Sequence, residues 1–272
     1  MLRLRLRIAG IAAVLLLPVP WLRAEDGAGG WQHRELHRFP AKEANQGVAV
    51  DSRHFYAIDN RTIGKYLKST GERVGGWIDK PEGSIRHLNS GIVVDDKLIV
   101  AHSNFPKTPS ESSLEIWDTT TMSPIDRRFL EEAPGSLTWV IPESDGWLAC
   151  FAHYRSNSDP RLSRVVRFDA DWKPQSSWAF PAALIKRFAG SSSSGGAIGP
   201  DGKLFVTGHD ARELYVLSPP QSSTQVLQWE ATIPISAAGQ AIAWDPDEPG
   251  VLYSISRKTR EVIVSEITQG KP

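Results

Sequence analysis

One plan recurs five times along the chain, and this recurrence restricts the fold more than any other feature. It consists of an apolar strand, an acidic or glycine-containing turn, a second apolar strand and an amphipathic hairpin. The first strands read Gln46-Gly47-Val48-Ala49-Val50-Asp51, Ser90-Gly91-Ile92-Val93-Val94-Asp95, Leu137-Thr138-Trp139-Val140-Ile141-Pro142, Gly196-Ala197-Ile198-Gly199-Pro200-Asp201 and Gln240-Ala241-Ile242-Ala243-Trp244-Asp245. The second strands follow at once: Phe55 to Ile58, Leu98 to Ala101, Trp147 to Phe151, Leu204 to Thr207 and Val251 to Ile255. Both series are apolar at consecutive positions, so both faces of each strand are expected to be covered. The third strands are clearest at Leu114 to Asp118 and Val165 to Asp169, where they end in a polar turn.

Short strands repeating about every 45 residues, with one longer step before Gly196, predict four-stranded propeller blades. A lone twisted sheet of this kind cannot cover its faces, whereas a ring of them covers every one. The fifth repeat starts at Gln240 and runs out near Ile267, one strand short. Residues 31–39 precede the first repeat without a blade of their own. Their end, His37-Arg38-Phe39-Pro40, resembles the outer strand Arg127-Arg128-Phe129-Leu130. The expected fold is therefore all-β: a single five-bladed β-propeller over residues 31–268, with the N-terminal strand at about 31–39 pairing with 260–267 to complete the last blade. Such closure removes an open sheet edge. Residues 269–272 are left as a C-terminal tail. Two insertions interrupt the pattern. Pro106 to Ser113 lengthens a hairpin, and the segment from Pro181 to Gly195 combines a helical turn (Ala182 to Phe188) with a Ser/Gly run (Ser191 to Gly196) that reads as a flexible connector.

The first residues are of another kind. Arg3, Arg5 and Arg7 precede an apolar run from Ile8 to Val19, and Ala24 offers a cleavage point before Glu25. This is the pattern of a secretory signal peptide, residues 1–24, followed by a short linker, 25–30. The run is too short to span a bilayer, so no transmembrane domain is expected after cleavage and the location is secreted or periplasmic. Residues 1–24 hold four Arg and no acid, which leaves 27 basic and 31 acidic side chains, a net charge of −4. No basic stripe follows, so nucleic acid is not an expected partner. Ten Trp in one chain are expected to cement neighbouring sheets. The single Cys, Cys150, lies in an apolar run and reads as a buried, inert thiol.

In a propeller the starts of the inner strands and the ends of the second strands open on one face, at the mouth of the central channel. The starts carry Asn45, Gln46, Asn89, Ser136, Gly195 and Gln240, with His87 just before; the ends carry Asp59, His102, His153, His209 and Arg257. Asn45, Gln46, His87, Asn89, Gln240 and Arg257 are the candidate ligand-binding residues. Three of the seven His, His102, His153 and His209, occupy matching places in successive blades. Neutral imidazoles suit a transition metal such as Zn, Cu, Ni or Fe, so these three form a candidate metal set; the competing reading is that each caps a turn in its own blade. Asp59 and His153 are candidate acid–base residues, and Asp59 could equally initiate the turn Asp59-Asn60-Arg61. No Gly-x-Ser-x-Gly, His-Glu-x-x-His or phosphate-binding glycine loop is present.

Gln46-Gly47-Val48-Ala49-Val50-Asp51 with Phe55-Tyr56-Ala57-Ile58-Asp59 resembles the exported propellers of the NHL, YVTN and glutamine-cyclotransferase type across residues 31–268. Leu114-Glu115-Ile116-Trp117-Asp118 resembles a WD-repeat strand, in one blade alone. Asn45-Gln46-Gly47 matches two residues of the Thr-Gln-Gly start of the cyclotransferases, but Ala57 stands where their resemblance implies a catalytic Glu. Calcium-dependent lactonase propellers imply a Glu at the first inner strand, where Gln46 stands, which disfavours a Ca²⁺ site of that type. The leading expectation is a propeller that binds a small molecule or peptide at its channel mouth. The alternatives are an enzyme using that rim (glutaminyl-cyclase-like, lactonase- or cycloisomerase-like, or a metal-assisted hydrolase) and an interaction scaffold with a protein partner in the cell envelope. Fold alone does not choose among them.

Overall fold

The structure, a computed structural model, describes residues 30–131, 133–220 and 225–270. The expected signal peptide lies outside these residues, as does most of the 25–30 linker. Strand β1 (Trp31–Pro40) comes first in the chain but belongs to the last sheet. Blade 1 is β2 (Gly47–Val50), β3 (His54–Asp59), β4 (Thr62–Leu67) and β5 (Arg73–Ile78). Blade 2 is β6 (His87–Val94), β7 (Lys97–Ser103), β8 (Ser112–Asp118) and β9 (Pro124–Leu130). Blade 3 is β10 (Ser136–Glu143), β11 (Gly146–Ala152), β12 (Arg164–Asp169) and β13 (Pro174–Ala179), followed by helix α1 (Ala182–Arg187). Blade 4 is β14 (Gly195–Ile198), β15 (Leu204–Thr207), β16 (Glu213–Ser218) and β17 (Gln228–Pro234). Blade 5 is β18 (Ala243–Trp244), β19 (Val251–Ser256), β20 (Glu261–Gln269) and β1. The structure is thus the five-bladed propeller expected, with every blade an antiparallel four-stranded sheet.

Each inner strand touches the next around a closed cycle: β2 with β6, β6 with β10, β10 with β14, β14 with β18 and β18 with β2. The double-sided apolar strands explain why. In β3, Phe55 and Ala57 face blade 5 while Tyr56 and Ile58 face blade 2. The buried apolar residues accordingly form five clusters, one for each junction between neighbouring blades. Trp117 and Trp139 are fully buried in two of them. Close approach makes glycine necessary at two inner-strand starts. A Cβ on Gly47 would stand 2.4 Å from the Asn89 carbonyl oxygen, and one on Gly196 2.5 Å from the Trp139 ring.

The ring closes as the sequence predicts. β1 pairs antiparallel with β20, from Trp31 opposite Gln269 to Pro40 opposite Glu261. Pairing therefore runs one residue past the expected end at 268. Phe39 stacks on Phe55 of blade 1 at 5.2 Å. An ion pair crosses the same seam: Lys68 Nζ of blade 1 lies 2.6 Å from Asp245 Oδ2 of blade 5, with both side chains largely buried. Asp245 Oδ1 accepts the backbone N–H groups of Asp247 and Glu248.

One expectation is corrected. The Ser191–Gly196 run is packed, not a flexible connector. Ser192, Ser193 and Ser194 are buried, Ser193 Oγ accepts the Trp139 indole N–H at 2.9 Å, and Ser192 Oγ donates to Ser163 at 2.8 Å. Small hydroxyl side chains fit the narrow space beside Trp139 and satisfy polar atoms there.

Removing one partner of a buried ion pair leaves the other charge uncompensated. Lys68→Met is expected to destabilise the protein by about 3 kcal/mol and to lower Tm by about 10 °C. Adding Asp245→Asn should recover most of that loss, because an Asn oxygen still accepts the two backbone N–H groups. Thermal unfolding of the single and double variants checks this, and a single variant that melts like the wild type would remove the seam from the stability argument.

Candidate functional site

The mouth of the channel holds a cavity of about 370 Å³. Gln46, His87, Asn89, His209, Gln240 and Arg257, all singled out from the sequence, line it together. Their convergence follows from the repeat: inner-strand starts and second-strand ends from blades 1, 2, 4 and 5 meet on one rim. Phe105, Tyr154 and Arg155, which no repeat position marks in the sequence, line the same cavity. They lie just beyond β7 and β11, in the loops that follow His102 and His153. A larger open groove of about 550 Å³ lies at the outer seam of blades 2 and 3, lined by Phe129, Phe168 and Trp172, away from the mouth.

The other candidates are placed elsewhere. Asn45 Nδ2 donates to Asp59 Oδ1 at 2.7 Å, and Asp59 Oδ2 pairs with Arg260 at 2.8 Å. Neither residue lines the mouth cavity; Asp59 Oδ1 also accepts the Asn60 N–H, in keeping with the turn-initiating role. The three repeat-matched His line three different cavities. Among the described residues no group of three or more His, Cys, Asp or Glu is placed to hold a metal ion. The reason is local. His102 Nε2 accepts the Arg86 N–H at 3.0 Å, so Nδ1 carries the proton and donates to Ser113 Oγ, which in turn donates to Glu115. His153 Nε2 meets the Pro134 carbonyl, and its Nδ1 meets Ser158 Oγ at 2.9 Å. His209 Nε2 accepts from Arg257 at 3.1 Å, and its Nδ1 donates to Asp210 at 2.8 Å. All six ring nitrogens are engaged within the protein.

The electrostatics of the cavity are one-sided. Its lining has two Arg and two His and no carboxylate. Arg257 donates to His209 Nε2, and among the described residues neither Arg257 nor Arg155 has a carboxylate partner. Burial holds His87 down to about 4, helped by the Arg257 charge, so it is neutral at physiological pH. No hydrogen bond is formed by its ring among the described residues, and it packs on Phe105 with centroids 5.4 Å apart. Phe105 meets Tyr154 edge-on at 4.9 Å, so three rings form a continuous wall. Burial raises the Tyr154 hydroxyl above the ordinary tyrosine value, which keeps it protonated. Cys150 is fully buried and its thiol is pushed up to about 12, an inert group as expected.

His102 is likewise held down to about 4 by burial, with Arg127 adding to the effect. A histidine whose folded value lies below the ordinary 6.5 contributes stability that is complete above 6.5 and is lost as pH falls toward 4. Lowering the pH from 7.5 to 5 should therefore reduce the unfolding free energy by about 2 kcal/mol for each of His87 and His102. Urea unfolding across this range measures it, and His102→Asn should flatten the dependence by about half. A stability unchanged between these pH values would contradict the burial of both neutral rings.

The sequence matches no family model and no curated protein. Solved structures are similar in fold. A luciferin-regenerating enzyme is 12% identical, with a TM-score of 0.50 over 88% of this chain and 95% of that one. The WD40 β-propeller domain of Doa1 is 10% identical, with a TM-score of 0.46 over 83% of this chain and 79% of that one. A protein of unknown function from Bacteroides caccae is 12% identical, with a TM-score of 0.45 over 76% of this chain and 69% of that one. The likeness to the luciferin-regenerating enzyme, at that identity, concerns the fold alone; the ring of five four-stranded sheets makes this chain a β-propeller.

Proposed function

We propose that this protein is an exported propeller that binds a small anionic molecule, of the carboxylate or phosphate class, at the mouth of its channel. The observation that carries the reading is the lining of the mouth cavity: two guanidinium groups without carboxylate partners, two imidazoles, and no acid. A guanidinium fork matches the two oxygens of a carboxylate or phosphate. Arg257 is half-buried and Arg155 exposed, and neither has a protein counter-charge among the described residues, so an anion that enters the cavity meets positive charge that no carboxylate already neutralises. The His209–Asp210 pair holds Arg257 in place before the ligand arrives. A volume of about 370 Å³ lies at the small end of the roughly 300–1,000 Å³ typical of ligand pockets, which favours a small molecule over an extended peptide. Among the described residues no helix is long and apolar enough to cross a membrane. Export rests on the N-terminal pattern; intact-mass measurement of the protein recovered outside the cytoplasm should give a chain starting at Glu25.

Titration calorimetry of the mature protein against small mono- and dicarboxylates and inorganic phosphate tests the binding. At least one anion should bind, and Arg257→Gln should weaken it about 10- to 100-fold, the worth of one charged hydrogen-bonding contact. Binding that favours neutral analogues, or that ignores the loss of Arg257, would overturn the reading.

A further inference from the structure

The floor of the mouth cavity carries a second kind of chemistry. Three amide side chains line it: Gln240 from blade 5, Gln46 from blade 1 and Asn89 from blade 2. They are only 2%, 8% and 7% exposed. Each uses its NH₂ group to bind the protein. Asn89 Nδ2 donates to the Leu137 carbonyl at 2.9 Å, Gln240 Nε2 to the His209 carbonyl at 3.1 Å, and Gln46 Nε2 to Asn60 Oδ1 at 3.0 Å. A backbone carbonyl only accepts, so the orientation of Asn89 and Gln240 is fixed by their partners. In all three the amide oxygen has no partner among the described residues and is the group left to face the cavity.

The three residues are neighbours around the inner ring. The Ala241 N–H donates to the Gln46 carbonyl, and the Asn89 carbonyl presses on Gly47. Three amide oxygens open to the cavity form an acceptor set with no donor of its own. Once a ligand covers these acceptors, leaving them without a donor is costly, so a ligand that brings N–H groups is preferred there. A primary ammonium has three such donors. A free cation does not suit the site, because two Arg line the same cavity and no carboxylate offsets them; an oxygen-coordinated Ca²⁺ ordinarily takes carboxylates as well. The charges balance only when the ammonium arrives on a molecule that also carries an anionic group.

We infer that the ligand is a free α-amino acid, bound as the zwitterion. Its ammonium donates to the oxygens of Gln46, Asn89 and Gln240, its carboxylate pairs with Arg257, and its side chain lies along His87, Phe105 and Tyr154. The inference rests on the anion-binding reading and narrows it. The ring wall favours an apolar or aromatic side chain, since neutral His87 and Phe105 present ring surface rather than charge.

The test uses calorimetry on the mature protein. The proteinogenic L-amino acids are screened first. The best binder is then compared with its deaminated carboxylate and its decarboxylated amine. The amino acid should bind best, the carboxylate should bind about tenfold or more weakly, and the amine should not bind. Gln46→Met should weaken the amino acid while leaving the deaminated carboxylate unchanged, and retention of the latter shows that the variant is folded. Should this variant not fold, the three-ligand comparison on the wild type decides alone. Equal affinity for the amino acid and its deaminated form overturns the zwitterion but leaves the anion site standing. The same holds when simple carboxylates or phosphate bind and no amino acid does. A Gln46→Met variant that weakens both ligands equally removes the amide oxygens from the recognition of the ammonium. No binding of any anion defeats both readings.

Discussion

The pairing of β1 with β20 is the contact on which the rest of the molecule depends. It joins residues more than 200 positions apart and supplies the fourth strand that the last blade lacks. Closing a loop of that length costs about 5 kcal/mol in chain entropy, because the cost grows only with the logarithm of the length. The seam more than offsets this. Phe39, Ile255, Val262 and Val264 are buried in its apolar cluster, and burying each such side chain is worth about 1.5–3 kcal/mol. The mouth cavity straddles the same seam. Gln240 and Arg257 come from blade 5, Gln46 from blade 1, and His87 and Asn89 from blade 2. The mouth therefore sits at the junction that β1 helps to close, where the contact of β18 with β2 and the Ala241 N–H on the Gln46 carbonyl hold blades 5 and 1 side by side.

The blades are legible in the sequence because burial on both faces leaves a mark, consecutive apolar residues along the second strands broken only at Thr207 and Ser254. The closing strand is legible by subtraction, from a repeat one strand short and a strand without a repeat. The mouth is partly legible, since repeat position alone places Gln46, His87, Asn89, Gln240 and Arg257 on one rim. The fate of the matching His is not, because it turns on which side of a strand end a side chain leaves. Pairing between β6 and β7 shifts between Leu88 and Gly91, and pairing between β10 and β11 shifts between Leu137 and Trp139. Such bulges re-aim neighbouring residues and have no fixed sequence mark. Equivalent positions in the repeat thus send His102 to Ser113, His153 to Pro134 and His209 to Arg257. Phe105, Tyr154 and Arg155 escaped for the opposite reason: they lie in loops, where the repeat carries no register.

Backbone conformation at the rim carries the same lesson about local geometry. Gly239 and Gln240 both adopt left-handed conformations, with φ of 63° and 67°. Glycine takes this freely, while a glutamine there costs about 1–2 kcal/mol. The strain persists because the surroundings fix it. Thr207 Oγ1 donates to the Gln240 carbonyl at 2.5 Å, and the Gln240 N–H reaches the Gly208 carbonyl at 3.2 Å. This turn also explains why β18 has only two residues, since the inner strand of blade 5 can pair only after the chain has left it.

In the proposed site each rim amide serves the fold and the ligand at once. An amide has two distinct ends. Fixing the NH₂ end against a neighbouring carbonyl or side-chain oxygen removes the rotamer freedom of the oxygen end before any ligand binds. The acceptors at the floor are thus positioned by the contacts that link adjacent blades: Asn89 reaches from blade 2 to Leu137 of blade 3, and Gln240 from the start of blade 5 to His209 of blade 4. A carboxylate at these positions would lose the donor end and with it the latch; an apolar residue would lose both ends. Gln and Asn are the side chains that supply a donor for the fold and leave an oxygen for the cavity: at Asn89 and Gln240 the donor links adjacent blades, and at Gln46 it holds Asn60 of the same blade.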